Sequence, residues 1–260
     1  MNKASVIHQY LHYYFSSKTR YDIHSPFIYD FVCNVIKSKT NNKGITDIEH
    51  LRKELKKNNS EILVTDFGAG SVNNKNKTKT ISDIAKHSLK SRKYALLLYR
   101  LVKHYKPSKV LELGTSLGIS TCYMAKANPE TKIITIEGCK NISEIAKDNA
   151  NKLSLKNIEF ITGNFDDILK TFVSQNKPEF IFFDGNHTEE ATLKYFETAL
   201  QFINNESVFI FDDINWSEGM KHAWDKIKNH TSVKVSIDLF FIGMVFFRKE
   251  LSRESFVIRY

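Results

Sequence analysis

The sequence predicts an α/β fold: a seven-stranded, mostly parallel sheet with an antiparallel C-terminal hairpin, preceded by a mainly helical N-terminal extension. Three observations carry this expectation. From about residue 105 onward, short apolar runs alternate with amphipathic segments, the pattern of βα units around a parallel sheet. The apolar run 110–113 passes into two glycines four residues apart, Gly114 and Gly118, and then into the small-residue helix start Ile119-Ser120-Thr121. The last two apolar runs are separated only by residues 238–241, too few for a parallel crossover, so they should pair as a hairpin.

Taken in order, strands are expected at 109–113, 132–136, 158–162, 180–183, 208–211, 233–237 and 242–247. Most are rich in Val, Ile and Phe, side chains that suit a pleated, buried surface. Helices are expected at 120–127, 142–153, 166–174, 189–202 and 218–229, the third stopped by Pro178. The first 105 residues read differently: 6–15, 26–36 and 93–105 are helix-like, joined through the polar linkers 37–43 and 73–79. This divides the chain into an accessory or cap region, 1–105, and a main domain, 106–260. The aromatics Tyr10, Tyr13, Tyr14, Phe15, Tyr21, Phe27, Tyr29 and Phe31 suit core packing first, and a pocket roof or homodimer contact second. A second strand running into glycines, at 62–71, lacks a following helix start and reads as a turn or a loop facing the active site.

Composition narrows the class. Residues 1–105 hold 19 Lys+Arg against 8 Asp+Glu, and residues 106–260 hold 19 against 21, so the formal charge of +9 originates in the N-terminal part. Scattered lysines in Asn-rich loops without aromatic interleaving favour a solvated surface over a nucleic-acid footprint. Cys33, Cys122 and Cys139 have neither CxxC spacing nor an even count, which argues against a disulfide framework or a zinc site and fits a reducing cytoplasm. The first fifteen residues lack an apolar leader core, and the nine-residue run 239–247 is far below the ~20 residues of a spanning helix, so no membrane association is expected.

The glycine turn is a candidate ligand site because a residue without Cβ lets another molecule approach the main chain. Twenty-five residues after Glu112, the next strand ends on Glu137, where a ribose would be read. A nicotinamide dinucleotide is disfavoured, since Ser116 stands at the middle glycine position of Gly-x-Gly-x-x-Gly and Ile119 at the last. The order Glu112-x-Gly114-x-x-x-Gly118, then Glu137, Gly163-Asn164, Phe182-Phe183-Asp184-Gly185-Asn186-His187 and Phe211-Asp212-Asp213 resembles the class I S-adenosylmethionine-dependent methyltransferases. The likeness is to the catechol O-methyltransferase-like and sugar or macrolide O-methyltransferase-like branches, over residues 106 to about 250. It implies a Rossmann-like domain in which Gly114, Ser116 and Gly118 admit the methionine and ribose of S-adenosylmethionine. Glu137 then accepts from both ribose hydroxyls, Asn164 meets the adenine, and Glu112 is an acceptor near the ammonium or the glycine turn. Ala95-Leu96 stands where relatives carry Gly-Gln, a departure at the methionine end.

Methyl transfer from a sulfonium needs an aligned, electron-rich nucleophile, supplied by a general base or by a divalent cation that lowers the acceptor's pKa. Asp184 ends the fourth expected strand, and Asp212 with Asp213 ends the fifth. These carboxylates form the expected metal set, and oxygen-only ligands favour Mg2+, Mn2+ or Ca2+. Relatives of the catechol type have asparagine where Asp213 stands. Asp184 is also assigned to orienting substrate or cofactor, and His187 to general-base or metal-shell duty. Trp216 reads equally as a wall of the acceptor pocket or as packing, and His24-Ser25-Pro26-Phe27 as structural. The expected activity is O-methylation of a small hydroxylated acceptor. A nucleic-acid methyltransferase is the second reading, weakened by Asp184-Gly185-Asn186-His187 standing where base-amine enzymes often carry Asn-Pro-Pro-Tyr-like motifs. A non-catalytic S-adenosylmethionine-binding scaffold is the third.

Overall fold

The computed structural model describes residues 3–39, 44–65 and 76–260. In chain order the elements are α1 (Lys3–Ser16), α2 (Pro26–Phe31), α3 (Thr46–Leu55), β1 (Glu61–Thr65), β2 (Asn76–Thr80), α4 (Ile81–Ser88), α5 (Arg92–Tyr105), β3 (Lys109–Leu113) and α6 (Ile119–Ala127). They continue as β4 (Lys132–Glu137), α7 (Lys140–Lys152), β5 (Ile158–Thr162), α8 (Phe165–Asn176), β6 (Phe180–Phe183), α9 (Glu189–Leu200), β7 (Val208–Asp212), α10 (Glu218–Lys228), β8 (Val235–Asp238), β9 (Ile242–Phe246) and β10 (Glu254–Val257). Two compact units result: Lys37–Ile168, and Met1–Ile36 together with Leu169–Tyr260. No described helix is long and apolar enough to cross a membrane.

In the unit Lys37–Ile168, β3, β4 and β5 pair in parallel, with Leu111 opposite Ile134 and Ile136 opposite Ile161. Successive residues Ile133 and Ile134 on β4 are both buried, as in a sheet covered on both faces. Helix α3 contributes Ile48, Leu51 and Leu55, spaced three and four residues apart so that they share one face, to the core that also takes Ile84 and Ala85 of α4. Residues 76–79 of the polar linker expected at 73–79 belong to β2, which pairs antiparallel with β1, while 73–75, like 40–43 of the linker expected at 37–43, lie outside the described residues. Of the expected glycine turn at 62–71, residues 66–71 lie outside the described residues.

A partly buried polar knot ties α3 to α6. Glu49 Oε1 accepts from the Tyr123 hydroxyl at 2.7 Å and from Arg52 Nε at 2.9 Å. Burial alone would raise this carboxyl, but the Tyr123 and Arg52 donations outweigh it and hold it below the usual carboxylate range. Its depressed pKa therefore stabilises the fold above the ordinary carboxylate range, and that contribution disappears as pH falls through the folded-state value. Tyr123→Phe should cost about 1.5 kcal/mol at neutral pH in urea unfolding, the worth of a hydrogen bond to a charged group. The difference from wild type should shrink in acid as Glu49 protonates.

In the other unit, β6 and β7 are parallel, β7–β9 and β9–β8 antiparallel, and β8–β10 parallel. The expected hairpin is thus β8–β9. Apart from the β1–β2 pair, the described residues hold eight strands where seven were expected; β10 is the addition. Only Phe256 of β10 is buried, so the strand carries no apolar alternation to read. Backbone bonds from Lys18 N–H to Val257 and from Arg259 N–H to Lys18 fasten the segment after α1 to it, at 2.8 and 3.0 Å. The Tyr13 hydroxyl, on α1, donates to the Ile258 carbonyl at 2.5 Å and accepts from Tyr260 N–H at 3.0 Å. The helix expected at 26–36 starts at Pro26 and widens into a π-type turn over Val32–Ile36. The early aromatics divide: Tyr13 and Phe31 are buried, while Tyr14, Phe15, Tyr21 and Tyr29 are exposed.

Candidate functional site

The turn after β3 is built from left-handed residues: Gly114 at φ +103°, Ser116 at +47° and Gly118 at +79°. Gly118 caps α6, and a Cβ there would sit 3.1 Å from Ala146 Cβ, so glycine serves both the backbone angle and the close approach of α7. Glu137, ending β4, holds the turn from the adjacent strand. Its Oε2 accepts from Ser116 N–H at 2.9 Å and its Oε1 from Cys139 N–H at 3.0 Å. Burial pushes this carboxyl above its usual range, and backbone N–H donors at Cys139, Ser116, Gly138 and Thr115 partly oppose that. The Ser116 hydroxyl is buried and has no hydrogen-bond partner among the described residues, an uncommon condition that a polar ligand would relieve.

Glu112 lies inside β3 with no exposed surface and accepts from the hydroxyls of Thr121 and Thr135, the latter at 2.8 Å. It thereby ties the start of α6 to β4 beneath the turn. Thr135 stands opposite Glu112 in the β3–β4 register, a relation that sequence spacing does not reveal. Pairing of Glu137 with Thr162 brings the end of β5 alongside. Two residues on, Asn164 immediately precedes α8, its Oδ1 accepting from Asp166 N–H at 3.1 Å. Ala95 and Leu96 are buried in α5.

In the second unit the parallel register sets Phe183 opposite Phe211, so the next residues, Asp184 and Asp212, leave neighbouring strand ends together. The left-handed Asn186 (φ +51°) and the bond from Thr188 N–H to the Asn186 carbonyl form the turn that carries His187 back to them. Ligand atoms of Asp184, His187 and Asp212 all lie within 4.8 Å of one another. This group differs by one member from the set expected from sequence. Asp213 is not in it; its backbone is left-handed (φ +53°) and its carbonyl accepts Trp216 N–H at 2.9 Å. Bonds from Ile214 N–H to Phe241 and from Asn215 Nδ2 to Phe240 pin the loop, at 3.2 and 2.7 Å, and Trp216 is left 63% exposed rather than packed in the core. His24-Ser25-Pro26-Phe27 is a helix start, with the Ser25 carbonyl accepting Tyr29 N–H.

Residues 111–214 match a family model described as a methyltransferase domain. A protein-L-isoaspartate O-methyltransferase of Shewanella woodyi is 33% identical over 89 residues, covering 30% of this chain and 41% of that protein. A catechol O-methyltransferase of Niastella koreensis is 30% identical over 109 residues, covering 40% and 48% respectively. The chain thus matches less than half the length of these curated relatives. The crystal structure of an O-methyltransferase from Bacillus cereus in complex with SAH shares the fold with a TM-score of 0.56 at 19% identity, covering 85% of this chain and 97% of that one. Residues 111–214 therefore match a methyltransferase domain, and the fold is one shared with a solved O-methyltransferase structure.

Proposed function

We propose that the chain transfers a methyl group from S-adenosylmethionine to an oxygen of a small hydroxylated acceptor, with a divalent cation held by Asp184, His187 and Asp212. The observation that carries this reading is that the segment matching the methyltransferase model holds both the Ser116 turn, with its unsatisfied buried hydroxyl, and the three-donor group. Ser116 offers a polar partner for the methionine end. Glu137 is an acceptor-only carboxylate held at the end of β4 by backbone N–H groups, the residue type suited to accept from ribose hydroxyls. Asn164 directs its Oδ1 to the helix start and keeps its amide N–H2 for the adenine edge. Two carboxylates beside an imidazole are an ordinary donor set for a divalent ion. A bound cation would lower the pKa of the acceptor hydroxyl so that it reacts as an oxyanion.

The test is transfer of labelled methyl from S-adenosylmethionine into a pooled metabolite extract, with RNA added in parallel. Label should enter hydroxylated small molecules, disappear with EDTA and return on adding metal. Label confined to RNA would replace this reading with the nucleic-acid one, and tight cofactor binding without transfer to either would leave a scaffold.

A further inference from the structure

We propose that helix α1 docks on an anionic lipid surface, lying in the interface with Ile7, Leu11 and Phe15 at the acyl boundary and Lys18, Arg20 and Arg259 at the headgroups. The inference is independent of the methyl-transfer reading. It revises the expectation drawn from the lack of a spanning segment, because an interfacial helix needs only one apolar face. On the inner side of α1, the Tyr10 and Tyr13 rings pack against Phe240 with centroids 5.1 and 5.3 Å away, and the Tyr13 hydroxyl reaches the Ile258 carbonyl. These contacts fix which side of the helix faces out. Opposite Tyr13, Ile7, Leu11, Tyr14 and Phe15 are spaced so that they share one stripe, and they are 61%, 49%, 40% and 77% exposed. A surface helix ordinarily turns its polar side to water, so the outward side of α1 is built for an apolar surrounding.

Charge and area select the occupant. The first 21 residues contain no Asp or Glu. Asp22, the first acidic residue, has its carboxylate taken by the N–H and hydroxyl of Thr19 at 2.9 and 2.8 Å. Lys18 and Arg20, both exposed, follow the helix. Guanidinium groups lie over aromatic rings at this end, Arg259 over Tyr14 at 4.3 Å and Arg20 over Tyr21 at 4.6 Å. Each pair sets a positive tip beside an apolar body, the combination that suits the headgroup level of a bilayer. A second copy of the chain fits less well, since two such faces would bring like charges together. At about 200 Å² per large side chain the exposed fractions amount to roughly 450 Å², against the ~800 Å² that each partner of a stable dimer buries.

The full chain should float with vesicles of phosphatidylglycerol and phosphatidylcholine, far less with phosphatidylcholine alone, and be largely released by about 0.5 M salt. Leu11→Ser combined with Phe15→Ser should weaken vesicle binding at least about tenfold, and Lys18→Gln combined with Arg20→Gln by about tenfold. Because these side chains are exposed, each variant should keep its thermal midpoint within about 2 °C of wild type. Phe15→Trp should bind as wild type does, its added emission shifting to the blue on vesicles and quenched by brominated acyl chains. Equal binding by wild type and the Leu11, Phe15 double variant would overturn the inference, as would a wild-type chain that does not float. A dimer in analytical ultracentrifugation that the same double variant dissociates, without vesicle binding, would also overturn it and give this face to a second copy.

Discussion

Replacing Glu137 with alanine should weaken S-adenosylmethionine binding by about a hundredfold, read by calorimetry on the folded variant. The estimate follows from the chemistry of the acceptor. Two ribose hydroxyls donating to an ionised carboxylate make charge-assisted bonds of about 1.5–3 kcal/mol each, and a net loss near 2.7 kcal/mol is already a factor of 100. The structure adds a second contribution, because the same carboxylate accepts from the N–H groups of Ser116 and Cys139. Alanine therefore removes the ligand's partner and also the brace of the turn that receives it. Glu137→Gln separates the two: its one amide oxygen still accepts, so affinity should fall by an intermediate factor while the thermal midpoint stays closer to wild type. Unchanged affinity in a folded Glu137→Ala protein would remove the cofactor assignment.

The same residue gives the binding a pH signature. Burial raises the Glu137 carboxyl above the ordinary range, so on acidification it gains its proton earlier than an exposed glutamate would. The protonated form has lost acceptor capacity, and cofactor affinity should accordingly begin to fall above the usual carboxylate range. Stability runs the other way. A carboxyl whose folded pKa is raised binds its proton more tightly folded than unfolded, so this group favours the fold more as pH drops through that window. Calorimetry and urea unfolding over the same pH series should show the opposed trends, and Glu137→Gln should show neither.

Residues whose role depends on one strand were the most legible in the sequence. The limits of β3, β5 and β6 coincide with the expected runs, because each is a short apolar stretch bounded by turn residues. Gly114 and Gly118 announced a turn that the left-handed angles demand. Less visible was anything set by pairing: Thr135 reaches Glu112 through register, and Phe256 is the single buried residue by which β10 joins its neighbour. Helix α3 did carry a readable signal in Ile48, Leu51 and Leu55, obscured by the charged residues around them. At the carboxylate group, proximity in sequence favoured Asp213 over His187. The turn at the left-handed Asn186 is what brings His187 within reach of Asp184 and Asp212, a proximity set by backbone conformation that sequence spacing does not show.

Gly243→Ala should be among the most destabilising single changes in the β7–β9 region, at about 3 kcal/mol. A Cβ at this buried position of β9 would lie 2.7 Å from two atoms of the Trp224 ring and 2.9 Å from a third. Trp224 is itself buried on α10, packs 6.2 Å from Phe211, and donates its indole N–H to Asp238 Oδ2 at 3.2 Å. The ring cannot yield without either displacing β9 or giving up that bond to a buried carboxylate, whose pKa burial already raises. Overpacking costs about 1–3 kcal/mol and a lost bond to a charged group about 1.5–3, which for a chain of this size lowers the thermal midpoint by roughly 6–12 °C. Trp224→Leu supplies the decisive comparison, because it opens the space the new methyl needs. In that background Gly243→Ala should add less than about 1 kcal/mol, the coupling expected of residues in direct contact. An equal cost in both backgrounds would move the source of the strain away from the indole. Gly243 pairs with Phe211 and Ile242 with Asp212, so a displaced β9 also carries the strand end that positions Asp212. Gly243→Ala should therefore weaken cation binding as well, and Trp224→Leu should restore both properties together.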